Sequence, residues 1–157
     1  MQQTFGMIKT HAYSSRWYII DQIKRARLSP ARVLSGDLLS GMAERLYAEH
    51  AGQPYWDDLL CSVSGPVVRL LIEGPDAVAA WRKLIGASDW RKAEPGTIRY
   101  ALANRNGPMA ENAVHGSDSE ASARREIAIA FPPIGYSIAG GAPAPQPRRP
   151  GAMAEMA

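Results

Sequence analysis

Apolar positions recur along this chain in two spacings, one suited to strands and one to helices. The run Thr4-Phe-Gly-Met-Ile-Lys9 predicts a short buried strand ending in a lysine. From Trp17 to Arg27 the isoleucines 19, 20 and 23 fall on one side and Lys24, Arg25 and Arg27 crowd the far end, which predicts a helix. Ser29-Pro30 breaks it, and Arg32-Val-Leu34 is the best candidate for the next extended piece, with a continuation to Leu39 left open. Ala43–Glu49, with Met42, Leu46 and Tyr47 near-aligned, and Pro54–Ser62 predict two short helices, and Ser64-Gly65-Pro66 ends the second. Val67-Val-Arg-Leu-Leu-Ile-Glu73, rich in branched residues and bounded by turn residues, is the strongest strand. Gly74-Pro75-Asp76 then opens a helix with proline in its first turn and an apolar stripe of Val78, Trp81, Leu84 and Ile85 up to Gly86. Residues 86 to 112 show no periodicity and predict a long functional loop. A short strand at Ala113-Val114 and a helix to about Phe131, opened by the capping-box pair Ser117 and Glu120, complete the pattern.

This order of elements predicts an α+β fold, a ferredoxin-like βαββαβ sandwich whose antiparallel four-stranded sheet is covered by helices. The composition changes at Pro132, after which 26 residues hold six of the twelve prolines. The expected division is therefore a folded domain over 1–133 and an extended or disordered Pro/Ala-rich C-terminal tail over 134–157.

Composition narrows the function classes. The 157 residues, 46% hydrophobic and 21% charged, suffice for one domain with its own core. Cys61 is the only cysteine, so no internal disulfide forms, which fits a reducing compartment. No apolar run reaches the roughly 18 residues of a membrane span, and Met1-Gln-Gln-Thr4 lacks the order of a signal peptide, so a cytoplasmic protein without membrane contact is expected. A net charge of +3 suits a phosphate-rich ligand but is too mild for a nucleic-acid-binding stripe. Val67–Ile72 also lacks the aromatics with which a sheet of this shape stacks on bases, so no specific nucleic acid is expected.

The chemistry concentrates in Asn112-Ala-Val-His-Gly-Ser-Asp-Ser119, followed at helical spacing by Glu126. It sets one histidine immediately before a helix that starts in glycine, serine and aspartate. An imidazole there can attack a phosphoryl group while the free N–H groups of the helix start receive the anion.

Those residues carry a resemblance. Asn112-x-x-His115-Gly-Ser-Asp-Ser119-x-x-Ser-Ala-x-x-Glu126-Ile resembles the active-site signature of nucleoside diphosphate kinases. Further matches stand in the right order at Met7-Ile-Lys9, Tyr47-Ala-Glu-His50 with Pro54-Tyr55-Trp56, Ser64-Gly-Pro66, Trp81-Arg-Lys-Leu-Ile-Gly86 and Pro95-Gly-Thr-Ile-Arg99. The resemblance spans about residues 3 to 133. It implies transfer of the γ-phosphate of a nucleoside triphosphate to a nucleoside diphosphate by a ping-pong mechanism through a phosphohistidine. His115 matches the nucleophile and Glu126 the carboxylate on its other ring nitrogen. Lys9, Arg82 and Arg99 match phosphate contacts, with Ser88 where a threonine hydroxyl is usual. Tyr47 matches a phenol near the transferred phosphate, Asn112 a ribose contact, Tyr55 the aromatic that stacks on the base, and Gly116 a nucleotide-binding position. Mg²⁺ enters with the nucleotide, so no protein metal cage is expected. Hexamers built from dimers, or tetramers, are the implied assemblies.

The chain also departs from the pattern. Thr10-His11 follows Lys9 where Pro-Asp is usual, Tyr100-Ala-Leu102 follows Arg99 where Gly-Asp-Phe is usual, the path from Arg99 to His115 is a few residues longer, and Ser88-Asp89-Trp90 lacks a proline. These departures leave an alternative open, a weakly active or inactive member serving as a nucleotide-binding or protein-interaction module.

Overall fold

The computed structural model describes residues 1–133, and the expected tail over 134–157 lies outside them. Four strands, β1 (Gln2–Ile8), β2 (Ser29–Gly36), β3 (Val67–Gly74) and β4 (Val114–Gly116), form one sheet in the order β2-β3-β1-β4. Every neighbouring pair is antiparallel. Among the described residues six α-helices accompany them: α1 (Arg16–Arg25), α2 (Met42–Leu46), α3 (Trp56–Cys61), α4 (Ala77–Ile85), α5 (Ile98–Leu102) and α6 (Glu120–Ala130). This is the ferredoxin-like βαββαβ arrangement read from the sequence.

Helices cover both faces of the sheet, which explains why β3 reads as a continuous branched run. Val68, Leu70 and Ile72 bury on one face with Ile19 and Ile23 of α1 and Trp81 and Ile85 of α4. Val67 and Leu71 bury on the other with Leu46 of α2, Leu59 of α3 and Ile129 of α6. Alternation along β1 follows the same rule, with Phe5 and Met7 on the second face and Ile8 on the first.

One close approach fixes the position of β4. Gly6 and Gly116 pair across β1 and β4, and Trp81 lies over both. A Cβ on Gly116 meets the indole nitrogen at 2.8 Å, too close for any side chain without a shift, and one on Gly6 meets the ring at 3.1 Å, a tight fit. The Trp81 indole N–H then donates to the backbone carbonyl of His115 at 3.2 Å. Truncating a fully buried tryptophan to alanine costs about 3–5 kcal/mol.

The structure moves several expected boundaries. The second strand runs over Ser29–Gly36, including the serine and proline read as a break, because Pro30 sits beside a register irregularity on the open edge. Helix α4 starts at Ala77 after Asp76 at φ 46°, so Pro75 lies in the turn before the helix and not in its first turn. The stretch 86–112 is not all loop: it holds a 3₁₀ turn at Trp90–Lys92 and α5, whose Thr97 side chain accepts the Tyr100 N–H. The last helix is capped by Ser119, whose Oγ accepts the Ser122 N–H at 3.1 Å, and not by Ser117. His115 therefore lies within β4, and the helix begins only at Glu120.

Candidate active site

The residues around His115 are brought together by five segments: β1 and its end at Lys9, strand β4, the stretch between α4 and β4, the end of α2 at Tyr47, and α6. His115 pairs with Met7 in the antiparallel register of β1 and β4, which directs its ring toward the sheet face lined by Phe5 and Tyr47. The Tyr47 ring meets it edge-on, centroids 5.4 Å apart at 89°. Underneath, Glu126 of α6 places Oε2 2.9 Å from His115 Nε2, and its side chain is only 5% exposed. The same oxygen accepts a hydrogen bond from Ser117 Oγ at 2.6 Å. An ionised carboxylate can only accept, so it holds the hydrogen on Nε2 and leaves Nδ1 as the lone pair facing outward.

Two buried cations stand nearby. Lys9, 3% exposed, donates from Nζ to the Ala110 carbonyl at 2.6 Å. Arg99, 6% exposed, donates to the carbonyls of Gly86 and Val114, each at 2.8 Å, and to Ser88 Oγ at 3.4 Å. Among the described residues neither forms an ion pair. Burial, with the positive charge of Arg99 adding to it, lowers the Lys9 ammonium to about 7 against a weaker opposing pull from Glu111. Burial likewise brings Arg99 down to about 10, so it stays charged at neutral pH. The Tyr47 phenol is pushed upward by burial and by the Glu126 carboxylate, which keeps it a neutral hydroxyl. Its oxygen, Arg99 Nε and Asn112 Oδ1 are buried without a hydrogen-bond partner.

A cleft of about 320 Å³ opens over these groups. Of the residues singled out in the sequence, Lys9, Tyr47, Tyr55, Ser88, Arg99, Asn112, His115 and Gly116 line it, and Glu126 sits directly behind His115. Asn112 Nδ2 donates to the Ser88 carbonyl at 2.9 Å, tying two cleft residues together. Tyr55 stands at the mouth, 44% exposed, with its hydroxyl 2.8 Å from His50 Nδ1. Arg82 does not line the cleft. Its guanidinium is bound by Asp118, which does.

Four further residues matter that sequence reasoning did not select. Asp118 holds Arg82, Ser117 holds Glu126, His50 holds Tyr55, and Ala110 offers the carbonyl that receives Lys9. Asp118 was legible only as a letter of the motif, Ser117 was read as a helix cap and not as a partner of Glu126, and a backbone carbonyl leaves no mark in a sequence.

A sheet of this topology carrying an oriented imidazole beside a buried lysine and arginine that form no ion pair is a setting for a phosphate-handling protein. The nucleoside diphosphate kinase family model matches residues 2–135. A nucleoside diphosphate kinase of Ignicoccus hospitalis is 43% identical over 136 residues, covering 83% of this chain and 89% of that one. One from Sulfolobus acidocaldarius is 40% identical, covering 83% and 90%. Among solved structures, a halophilic nucleoside diphosphate kinase from Halobacterium salinarum in complex with CDP superposes with a TM-score of 0.77 at 32% identity, covering 83% of this chain and 88% of that one.

The chain belongs to the nucleoside diphosphate kinase family. It is an enzyme that binds nucleotides and transfers the γ-phosphate of a nucleoside triphosphate to a nucleoside diphosphate. The inactive-module alternative finds no support in these relatives. A kinase reaction of this kind typically needs a divalent cation, and no helix among the described residues is long and apolar enough to cross a membrane.

Proposed function

We propose that the transfer runs through a phosphohistidine on Nδ1 of His115, one cleft serving both half-reactions. In the first, the Nδ1 lone pair attacks the γ-phosphorus, the bond to the bridging oxygen breaks, and the nucleoside diphosphate leaves with that electron pair. In the second, a terminal oxygen of another nucleoside diphosphate attacks the same phosphorus and the P–N bond breaks toward His115. Glu126 keeps the hydrogen on Nε2 and offsets the positive charge that the ring acquires. Lys9 and Arg99 stabilise charge spread over the transferred oxygens, with the Tyr47 and Ser88 hydroxyls beside them. Arg82 exchanges Asp118 for phosphate when nucleotide arrives. Asn112 takes the ribose, Tyr55 stacks on the base, and Gly116 lets the nucleotide approach the backbone.

The observation that carries this reading is the buried pair Lys9 and Arg99, neither of which forms an ion pair among the described residues, because burying a charge without a close partner is costly and an arriving polyphosphate supplies the partner. Mg²⁺ is the divalent cation we assign. Asp118 and Asp89 are the carboxylates on the cleft wall, and among the described residues no cluster of three or more metal-ligating side chains occurs. Asp118 and Asp89 would be the protein carboxylates available to Mg²⁺, directly or through water, and the ion would offset phosphate charge. We further assign a domain over 1–133, a cytoplasmic location in keeping with the lone Cys61, and a hexameric or tetrameric assembly. The open edge at β2, with Val33 and Leu34 exposed, leaves backbone groups available to a second copy.

The test is incubation with Mg²⁺ and γ-labelled ATP, beside a His115→Ala sample, followed by GDP. Label that resists alkali, is lost in acid, needs His115 and chases into GTP supports the relay. Folded wild-type protein that binds nucleotide yet never acquires transferable label sinks it.

A further inference from the structure

A turn two residues before the proposed nucleophile is strained, and a side chain outside the cleft holds it. Ala113 is fully buried with φ 73°, a left-handed value that alanine adopts at a cost. The Val114 N–H donates back to the Asn112 carbonyl at 2.9 Å, closing a γ-turn over Ala113, in which the positive-φ form is the rare and strained one. Three functional positions hang on this turn. Asn112 precedes it, the Val114 carbonyl receives Arg99, and His115 follows one residue later.

Both polar groups of Ala113 are secured by the segment that begins at Lys9. Its carbonyl accepts the Lys9 N–H at 2.9 Å, and its N–H donates to Nε2 of His11 at 3.0 Å. An imidazole nitrogen can accept only when unprotonated, so the hydrogen of the neutral ring is on Nδ1, which is buried and without a partner. We infer that His11 is a positioning residue for phosphoryl transfer, acting as the acceptor that clamps the strained Ala113 turn and so aims Asn112, Arg99 and His115 together. The inference rests on His115 being the phosphate acceptor.

The surroundings favour the neutral ring that the clamp requires. Burial disfavours the imidazolium, Glu111 from the segment before β4 favours it, Lys9 at the end of β1 opposes it, and the balance lies on the neutral side. A second proton on Nε2 sets donor against donor at Ala113 and releases the turn. His11→Gln keeps an acceptor at a similar reach and removes the titration. His11→Ala removes the acceptor altogether.

The experiment measures the single-turnover rate of His115 labelling by γ-labelled ATP in wild type, His11→Ala and His11→Gln, with steady-state kinetics across pH 5–8. Amide hydrogen exchange at Ala113 is followed in parallel. His11→Ala is expected to slow labelling by about 10- to 100-fold, with kcat falling more than KM rises and the Ala113 amide losing protection. His11→Gln recovers most of the rate and loses one of the protonations that shape the wild-type acid limb. If His11→Ala does not fold, wild-type protein decides: the Ala113 amide loses protection as the His11 ring resonances titrate. Labelling in His11→Ala at the wild-type rate, or an Ala113 amide indifferent to His11 titration, overturns the clamp. Failure of the phosphohistidine reading is distinct, since the wild type itself then acquires no label.

Discussion

Lys9 and Arg99 lie at the floor of the cleft, 3% and 6% exposed and with no carboxylate against them, whereas Arg82 stands outside it with Asp118 already in place. The three cations are one chemistry in two settings. At the floor, desolvation has been accepted without a counter-charge, and each guanidinium or ammonium is aimed by backbone carbonyls instead. At the rim, water and Asp118 already balance the charge, so a phosphate there replaces one partner with another. The binding energy of a polyphosphate should therefore come mainly from the floor.

That contrast is sharpest at Arg99. Its two carbonyl bonds use the fork of the guanidinium, which an ammonium cannot reproduce. Arg99→Lys is expected to lower kcat/KM by about 100-fold or more, and steady-state kinetics with ATP and a nucleoside diphosphate checks it. A loss no larger than that of the rim variant erases the distinction.

Lys9 offers a test by protonation. With its ammonium lowered to about 7 in the free protein, it is largely neutral at pH 8, and an arriving phosphate pulls it back to the charged form. Nucleotide binding at pH 8 is thus expected to take up as much as a proton per site. Calorimetry in buffers of different ionisation heat measures this uptake, which should vanish in Lys9→Met and shrink in wild type below pH 6. Uptake unchanged in Lys9→Met assigns the proton elsewhere.

The smallest effect belongs to the rim. Arg82→Ala is expected to raise KM within about tenfold while kcat changes less. A collapse in kcat with Arg82→Ala places transition-state stabilisation at the rim and reverses the comparison.

Legibility in the sequence follows the same divide between regular and irregular backbone. β3 announced itself as a nearly unbroken run of branched residues between turn residues, and α4 by apolar residues that keep a helical period over nine positions. α5, at five residues, is too short to show one, and its Thr97 cap was invisible within a polar stretch. Ser117 and Ser119 both sit at the head of the last helix, and Ser117 has the capping-box spacing to Glu120. What removes Ser117 from capping is its bond to the buried Glu126, a contact nine residues away that local pattern cannot reveal. The residues singled out by the motif stand together in space, since all but Glu126 and Arg82 line one cleft. Their support was less legible: Ala113 at positive φ and the Ala110 carbonyl under Lys9 carry no sequence signature, and His11 showed only as a departure from the pattern, without its partner.

The tryptophan wedged over the paired glycines makes the protein its own optical probe. Trp81 is fully buried and bonded to the backbone of His115, while Trp17 is 67% exposed. With the half-buried Trp56 and Trp90 replaced by phenylalanine, a soluble quencher extinguishes the outer indole first and leaves the inner one emitting from an apolar slot. The colour of that residual light depends on the carbonyl its N–H touches, so it reads out, without any label, the state of the strand that carries the proposed phosphate acceptor.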